Sequence, residues 1–286
     1  MKEIAILLAT YNSEKYIRCQ IDSIINQSIK NWSLYIHDDQ SSDKTQSIIK
    51  AYCKHHSNIF LLDDATNRGS KKSFAWLLQK VEAKYYMFCD HDDFWLPNKV
   101  ERAYELMKKF NNENIPTIVA CNAKIVDSNL NTLVDSLWYS CGFRKSDFSN
   151  KYFHLFYNNM PGCTLMFNHC VKEISLPMAE NTTYIHDSWI INKTLWNKGR
   201  ILRIPDTLIL YRQHENNLIG MKESPSFLKQ IMKIKTLTKK TWFEYKASKV
   251  FCKRIPFFVF FAIKTYFLIL LHITTKKRKH DTHCHI

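Results

Sequence analysis

Tyr85-Tyr86-Met87-Phe88-Cys89-Asp90-His91-Asp92-Asp93-Phe94-Trp95 is the stretch on which the fold turns. Five apolar residues read as a strand buried on both faces. Three carboxylates then fall within four positions, and Phe94-Trp95-Leu96 after them is too apolar for a wet loop tip. Working outward, Ile4–Ala9, Trp32–Ile36, Ile59–Leu62 and Thr117–Ala120 have the same short apolar character. Between them lie segments of helical period: near Glu14–Asn26, with Ile17, Ile21, Ile24 and Ile25 on one face, near Lys44–Lys54, near Ser70–Lys80, and from Pro97 to about Phe110. Strand–helix alternation at this spacing predicts an α/β sandwich with a mostly parallel central sheet. In such sheets ligands bind beyond the carboxyl ends of the strands. The residues there are Thr10-Tyr11-Asn12, His37-Asp38-Asp39, Asp63-Asp64 with Asn67-Arg68-Gly69, and Asp90 to Asp93.

Composition narrows the chemistry. Only five glycines occur among 286 residues, at positions 69, 142, 162, 199 and 220. None forms G-x-G-x-x-G or a P-loop, so a Rossmann dinucleotide site and a Walker NTPase are excluded. A bound diphosphate must be neutralised another way. Residues two apart in an extended strand share a side, which predicts Asp90 and Asp92 converging on one ion. Clustered carboxylates in a cleft repel one another unless a cation joins them, and oxygen donors suit Mg²⁺ or Mn²⁺.

The net charge of +15 is unevenly placed. Residues 1–220 carry 26 Lys+Arg against 23 Asp+Glu, and residues 221–286 carry 15 against 3. The expected organisation is therefore a near-neutral domain over 1–220 and a helical, basic C-terminal extension over 221–286. Within the extension, Ile255–Ile273 is apolar apart from Lys264 and His272, with Lys253-Arg254 before it and Lys276 to Lys279 after it. A central lysine and positive flanks on both sides favour a helix lying in an anionic membrane surface over a clean span. A helix packed on the domain is the competing expectation. The nine cysteines show no C-x-x-C, and read as reduced core residues. The apolar run near the N-terminus is too short for a signal peptide.

These residues carry a resemblance. Ala9-Thr10-Tyr11-Asn12, Gln27, Asp38-Asp39-x-Ser41-x-Asp43-x-Thr45, Asn67-x-Gly69 and Asp90-x-Asp92-Asp93, in that order, resemble glycosyltransferase family 2, inverting metal-dependent enzymes with the GT-A fold. Asn159-Met160-Pro161-Gly162-Cys163-Thr164 is similar to the family's acceptor-side segment, His186-Asp187-x-Trp189 to its catalytic-base motif, and Leu210-Tyr211-Arg212-Gln213-His214-x-x-Asn217 to the closing segment of bacterial polysaccharide members. The resemblance implies that Thr10, Tyr11, Asn12, Asp39, Asn67, Arg68 and Asp90 contact the nucleotide. It implies Asp92 as principal metal ligand, assisted by Asp90 and Asp93, with His214 either completing the metal shell or satisfied in the core. Trp95, Gly162, Cys163, His186 and Trp189 would then face the donor or acceptor sugar, a core position being the competing reading for the two tryptophans, and His91 would be structural.

Inversion requires a carboxylate that takes the acceptor's proton. Asp187, at the start of an amphipathic helix over about Asp187–Asn197, is that candidate. The expected reaction moves a hexose, from UDP-Gal or UDP-Glc or alternatively a dTDP-rhamnose donor, to a polyprenyl-diphosphate-linked saccharide. That activity belongs at the cytoplasmic face of a bacterial inner membrane, with no nucleic acid as partner. A non-catalytic basic adaptor is the rival class, and it leaves the carboxylates unexplained.

Overall fold

The computed structural model describes residues 2–62, 66–110, 112–180, 182–214 and 234–283. The expected features at Asp63-Asp64, Asn217 and the boundary at 220 lie outside the described residues.

Strands β1 (Lys2–Thr10), β2 (Trp32–Asp38), β3 (Ile59–Leu61) and β4 (Ala83–Cys89) alternate with helices α1 (Ile17–Ile25), α2 (Thr45–His55) and α3 (Ser70–Lys80). All pair in parallel, in the order β3-β2-β1-β4. Ile4 to Leu8 and Tyr86 to Cys89 are wholly enclosed, as continuous apolar strands with helices on both faces must be. Ile17, Ile21 and Ile24 of α1 are buried against them, on the face that the helical period set.

Beyond β4 the sheet becomes mixed. After β5 (Phe94–Trp95) and α4 (Lys99–Phe110) come β6 (Thr117–Val126), β7 (Thr132–Val134) and α5 (Leu137–Ser140). Then follow β8 (Leu165–Asn168), α6 (His169–Ser175), α7 (His186–Trp196) and β9 (Arg200–Arg212). The order continues β4-β8-β6-β9-β5, with β7 beside β6. Strand β8 runs antiparallel to both β4 and β6, so Met166 lies opposite Met87 on one side and Val119 on the other. Strand β9 is parallel to β6 and antiparallel to β5. The parallel expectation thus holds for the first four strands, and the α/β sandwich is completed by antiparallel pairing. The consequence is positional. Reversed, β8 begins where β4 ends, which delivers Gly162–Thr164 to the carboxylate edge.

The C-terminal extension is helical: α8 (Ile234–Ser248) and α9 (Phe257–His283). Part of it packs on the domain. The Phe260 ring lies 4.6 Å from that of Phe156, Phe267 lies 5.3 Å from Phe153, and Phe251 touches Tyr184 and Trp189. Phe257–Thr275 is long and apolar enough to cross a membrane by length and composition, with mean hydropathy 2.0. Lys264, the expected interruption, is held by α8: its amine donates to the Glu244 carboxylate and to Thr241 Oγ1 at 3.0 Å.

Candidate active site

The carboxyl ends of β1 and β4 adjoin at the point where the chain's path through the sheet changes direction. Strand β4 stops at Cys89, and the chain bends at His91-Asp92. The two-residue alternation therefore does not carry through the acidic run. Asp90, Asp93 and Cys163 are the group whose ligand atoms all lie within 4.8 Å of one another, and the Asp92 charge acts on Asp90 from beside it. Asp92 turns to the end of β9, where its Oδ2 lies 2.8 Å from His214 Nε2. His214 stacks on Tyr16 with ring centroids 4.9 Å apart. His91 Nδ1 lies 3.4 Å from the Ala9 carbonyl, tying the bend to β1.

Arg212, quoted within the closing segment but given no role from sequence, organises this corner. Its backbone N–H donates to Asp93 Oδ1 at 3.0 Å and its Nε to the Asp92 carbonyl at 2.6 Å, while its guanidinium lies over the Tyr16 ring. Pairing of β5 with β9, Phe94 opposite Leu210, sets this juxtaposition.

Burial dominates the electrostatics. It pushes the Asp90 carboxyl up to about 7, aided by the charges of Asp92 and Asp187. It also raises Asp93 well above the carboxylate range, with Asp92 and Asp90 adding repulsion. Burial would raise Asp92 too, but the hydrogen bond to His214 and the charges of His91 and His214 hold it below its ordinary value. Asp93 Oδ2 is buried without a hydrogen-bond partner. Carboxylates kept this close, one with an orphaned oxygen, fit an oxygen-ligated divalent cation. Asp90, Asp93 and the Cys163 thiol, which burial raises, bring their ligand atoms together, and Asp92 with its His214 partner stands beside them.

Asp187 sits in the first turn of α7, only 4% exposed. Its carboxylate accepts from the N–H of Gly162 at 3.2 Å, from the N–H of Ser188, and from the Asn158 side chain. Burial outweighs these bonds and pushes it up to about 6. His186, beside it, stacks on Phe74 at 4.0 Å and meets Phe88 edge-on, and burial lowers its imidazole to about 3. A Cβ at Gly162 would stand 2.6 Å from His186 Nε2, so only glycine fits there. Asn159, 1% exposed, leaves both polar atoms of its amide without a hydrogen-bond partner.

The nucleotide candidates surround the ends of β1 and β2. Thr10 is buried, level with Asp38, and Tyr11 is 50% exposed. Asn12, at φ 45°, donates its N–H to Ser41 Oγ and accepts from the Ser42 N–H through Oδ1, both at 2.8 Å. Asp39 receives the N–H groups of Arg68 (2.5 Å) and Gly69 (2.8 Å), where α3 begins, and its carbonyl accepts from Asn67 Nδ2. Asp39 thus holds the loop that carries Asn67 and Arg68. The Arg68 guanidinium lies over Trp76.

Two expectations need correction. Trp95 is fully enclosed and Trp189 is 2% exposed, its Nε1 donating to the Ser175 carbonyl at 2.8 Å. Neither ring faces the cleft; both are core, as large aromatic side chains usually are. In place of a sugar, Trp95 meets Lys99, whose amine lies 3.6 Å from the ring centroid, enclosed and without a hydrogen-bond partner. Burial lowers that amine, against the pull of Cys121, Cys163, Cys89 and Asp93. A lysine one position from Val100 on an amphipathic helix gave no sequence signal of this.

A sheet of this order with an acidic cluster at its open edge is the GT-A architecture. The chain belongs to glycosyl transferase family 2, whose family model matches residues 5–174. An uncharacterized glycosyltransferase of Rickettsia typhi is 26% identical over 185 residues, 64% of this chain, and the chain spans only 56% of that relative's length. The dTDP-rhamnosyl transferase RfbG of Shigella flexneri is 28% identical over 258 residues, covering 85% of this chain and 83% of its own. The Escherichia coli WfgD, a UDP-Glc:alpha-D-GlcNAc-diphosphoundecaprenol beta-1,3-glucosyltransferase, is 32% identical over 108 residues, 38% of this chain and 42% of its own. Among solved structures, S. aureus TarS in complex with UDP-GlcNAc shares the fold with TM-score 0.58 at 20% identity, over 81% of this chain and 65% of that one. The mannosyltransferase PcManGT from Pyrobaculum calidifontis, in complex with GDP-Man and Mn2+, does so with TM-score 0.59 at 13% identity, over 97% and 84%.

Proposed function

We propose that the chain is an inverting, metal-dependent glycosyltransferase that moves a hexose from a nucleotide-diphosphate sugar to a hydroxyl of a lipid-linked saccharide in bacterial surface-polysaccharide synthesis. The observation that carries this reading is the buried carboxylate edge: Asp90, Asp92 and Asp93 on one side, and on the other Asp187, close enough to raise Asp90. The acceptor oxygen bonds to the anomeric carbon as the bond from that carbon to the diphosphate breaks, its electron pair leaving with the nucleotide. Asp187 accepts the hydroxyl proton; a base titrating near 6 is matched to neutral pH. The Gly162 and Ser188 N–H groups fix the direction of its carboxylate. Asp90, Asp92, Asp93 and His214 would hold a Mg²⁺ or Mn²⁺ ion, whose chemistry there would be positive charge for the departing diphosphate. Thr10, Tyr11, Asn12, Asn67 and Arg68 bind the nucleotide, with Asp39 ordering that loop. The extension rests the enzyme on the anionic cytoplasmic face of the inner membrane.

Two donors remain in competition. UDP-glucose is supported by WfgD, and dTDP-rhamnose by RfbG, which matches far more of the chain. The deciding experiment is a donor panel with a lipid-diphosphate GlcNAc or GalNAc acceptor, with Mn²⁺, with Mg²⁺ and with chelator. Transfer from one donor, lost on chelation, is the expected result. Binding to anionic vesicles without turnover of any donor would favour the adaptor class.

A further inference from the structure

A cavity of about 650 Å³ lies between the domain and the extension. That is within the ~300–1,000 Å³ of small-molecule sites. Its inner wall includes Asn158 and Ser188, both of which hydrogen-bond the Asp187 carboxylate. Tyr157 and Tyr184 line its middle, and its outer wall is one face of α8: Lys239, Lys240, Phe243 and Glu244. Glu244 pairs with Lys264 of α9, and among the described residues the exposed Lys239 and Lys240 have no ion-pair partner. The same two helices expose aromatic side chains: Phe243 is 69% exposed, Trp242 45% and, on α9, Phe258 74%. The cavity thus joins neighbours of Asp187, aromatic walls and two cations, on helices that also present apolar surface.

The geometry points to this cavity as the acceptor subsite, with Lys239 and Lys240 binding the acceptor's diphosphate and the exposed α8–α9 aromatics receiving its hydrocarbon chain. The inference rests on the glycosyltransferase reading above and adds the place and polarity of the second substrate. A saccharide joined to a lipid through a diphosphate has the same sequence of chemistries: hydroxyls, two phosphates, hydrocarbon. Lysine supplies the point charges that phosphates accept. The donor's diphosphate has its own place at the carboxylate edge, so the protein would separate its two diphosphates by using a cation for one and lysines for the other.

The test compares wild type with Lys239→Glu/Lys240→Glu and the milder Lys239→Gln/Lys240→Gln, in the full chain. A Lys50→Glu/Lys54→Glu variant on α2 makes the same charge change elsewhere. The probes are decyl-diphosphate-GlcNAc and decyl-GlcNAc without the diphosphate. Calorimetric binding is read first, then KM with the active donor. Wild type should prefer the diphosphate probe, and the Glu variant should weaken its binding about 10- to 100-fold, with a smaller loss for Gln. The preference over decyl-GlcNAc should collapse in the rim variants and persist in the α2 control. Equal preference in all variants, or weakened UDP binding with the decyl-diphosphate probe unaffected, would overturn the assignment. Charge-sensitive binding without transfer from any donor would keep the subsite and reject the catalytic reading. Transfer with a charge-insensitive KM would do the reverse.

Discussion

The carboxylate edge and the C-terminal helices depart from ordinary burial in opposite directions. In the domain, Asp93 is wholly enclosed and Asp187 nearly so. In the extension, Phe243, Phe258 and Tyr266 are each more than half exposed. Buried charge and exposed aromatic surface are both unfavourable in water alone. Under the proposed function each departure has a partner: a divalent cation and a diphosphate at the edge, an apolar phase at the helices. The two regions meet at Asn158 and Ser188, so one fold brings the group transfer within reach of a surface suited to a lipid-borne acceptor.

The comparison breaks most decisively at Asp187. Asp187→Asn keeps an oxygen for the Gly162 N–H but removes the base, and kcat should fall about 10²- to 10⁴-fold with little change in Tm. Wild-type turnover would end the assignment of the base. The next effect is on packing. Phe260→Ala empties an enclosed site between α9 and Phe156, at a cost of about 3–5 kcal/mol, read as a lower Tm or as local exchange of the extension. An unchanged melt and unchanged amide exchange would show that the helix does not depend on the domain.

The edge is sharpened by pH. With Asp187 titrating at about 6, kcat/KM should drop about tenfold per unit below that value; a flat profile down to pH 5 would contradict a buried carboxylate base. Stability of the metal-free protein should run the other way. Asp90, Asp93 and Asp187 all have raised folded-state pKa values, so the native chain binds more protons than the unfolded one. Stability should therefore fall as pH rises from about 4 to about 7. At pH 7.5 Mn²⁺ or Mg²⁺ should raise Tm, and an unchanged melt would argue against the ion. The smallest effect belongs to the outer surface: Phe258→Asp with Tyr266→Asp should reduce sedimentation with anionic vesicles while leaving Tm near wild type. Undiminished binding would move the membrane contact elsewhere.

Much of the domain was legible because its signals are local. Apolar runs and helical periods placed β1 to β4 and α1 to α3 within a few residues, and the acidic run after Cys89 marked the edge. Charge segregation separated the extension before any contact was known. The failures share a cause. Trp95 and Trp189 resembled sugar platforms because a side chain's type says nothing of which side of its strand or helix the core will cover. Lys99 gave no warning, since its enclosure depends on β5, β9 and three distant cysteines. The choice between a membrane-lying and a packed helix had no single answer: Phe260 and Phe267 pack, and Phe258 does not.

By itself, then, the sequence determined the secondary structure of the parallel half, the acidic character of its carboxyl edge, and the concentration of positive charge in the last 66 residues. Only the tertiary structure decided which groups face each other. Asp90 and Asp93 meet Cys163 because β4 ends at Cys89 and β8 enters reversed. Asp92 meets His214 because β9 returns beside β5. Periodicity specifies the face of an element from its immediate neighbours. Convergence of side chains more than a hundred positions apart is set by strand direction and register, which no local pattern encodes.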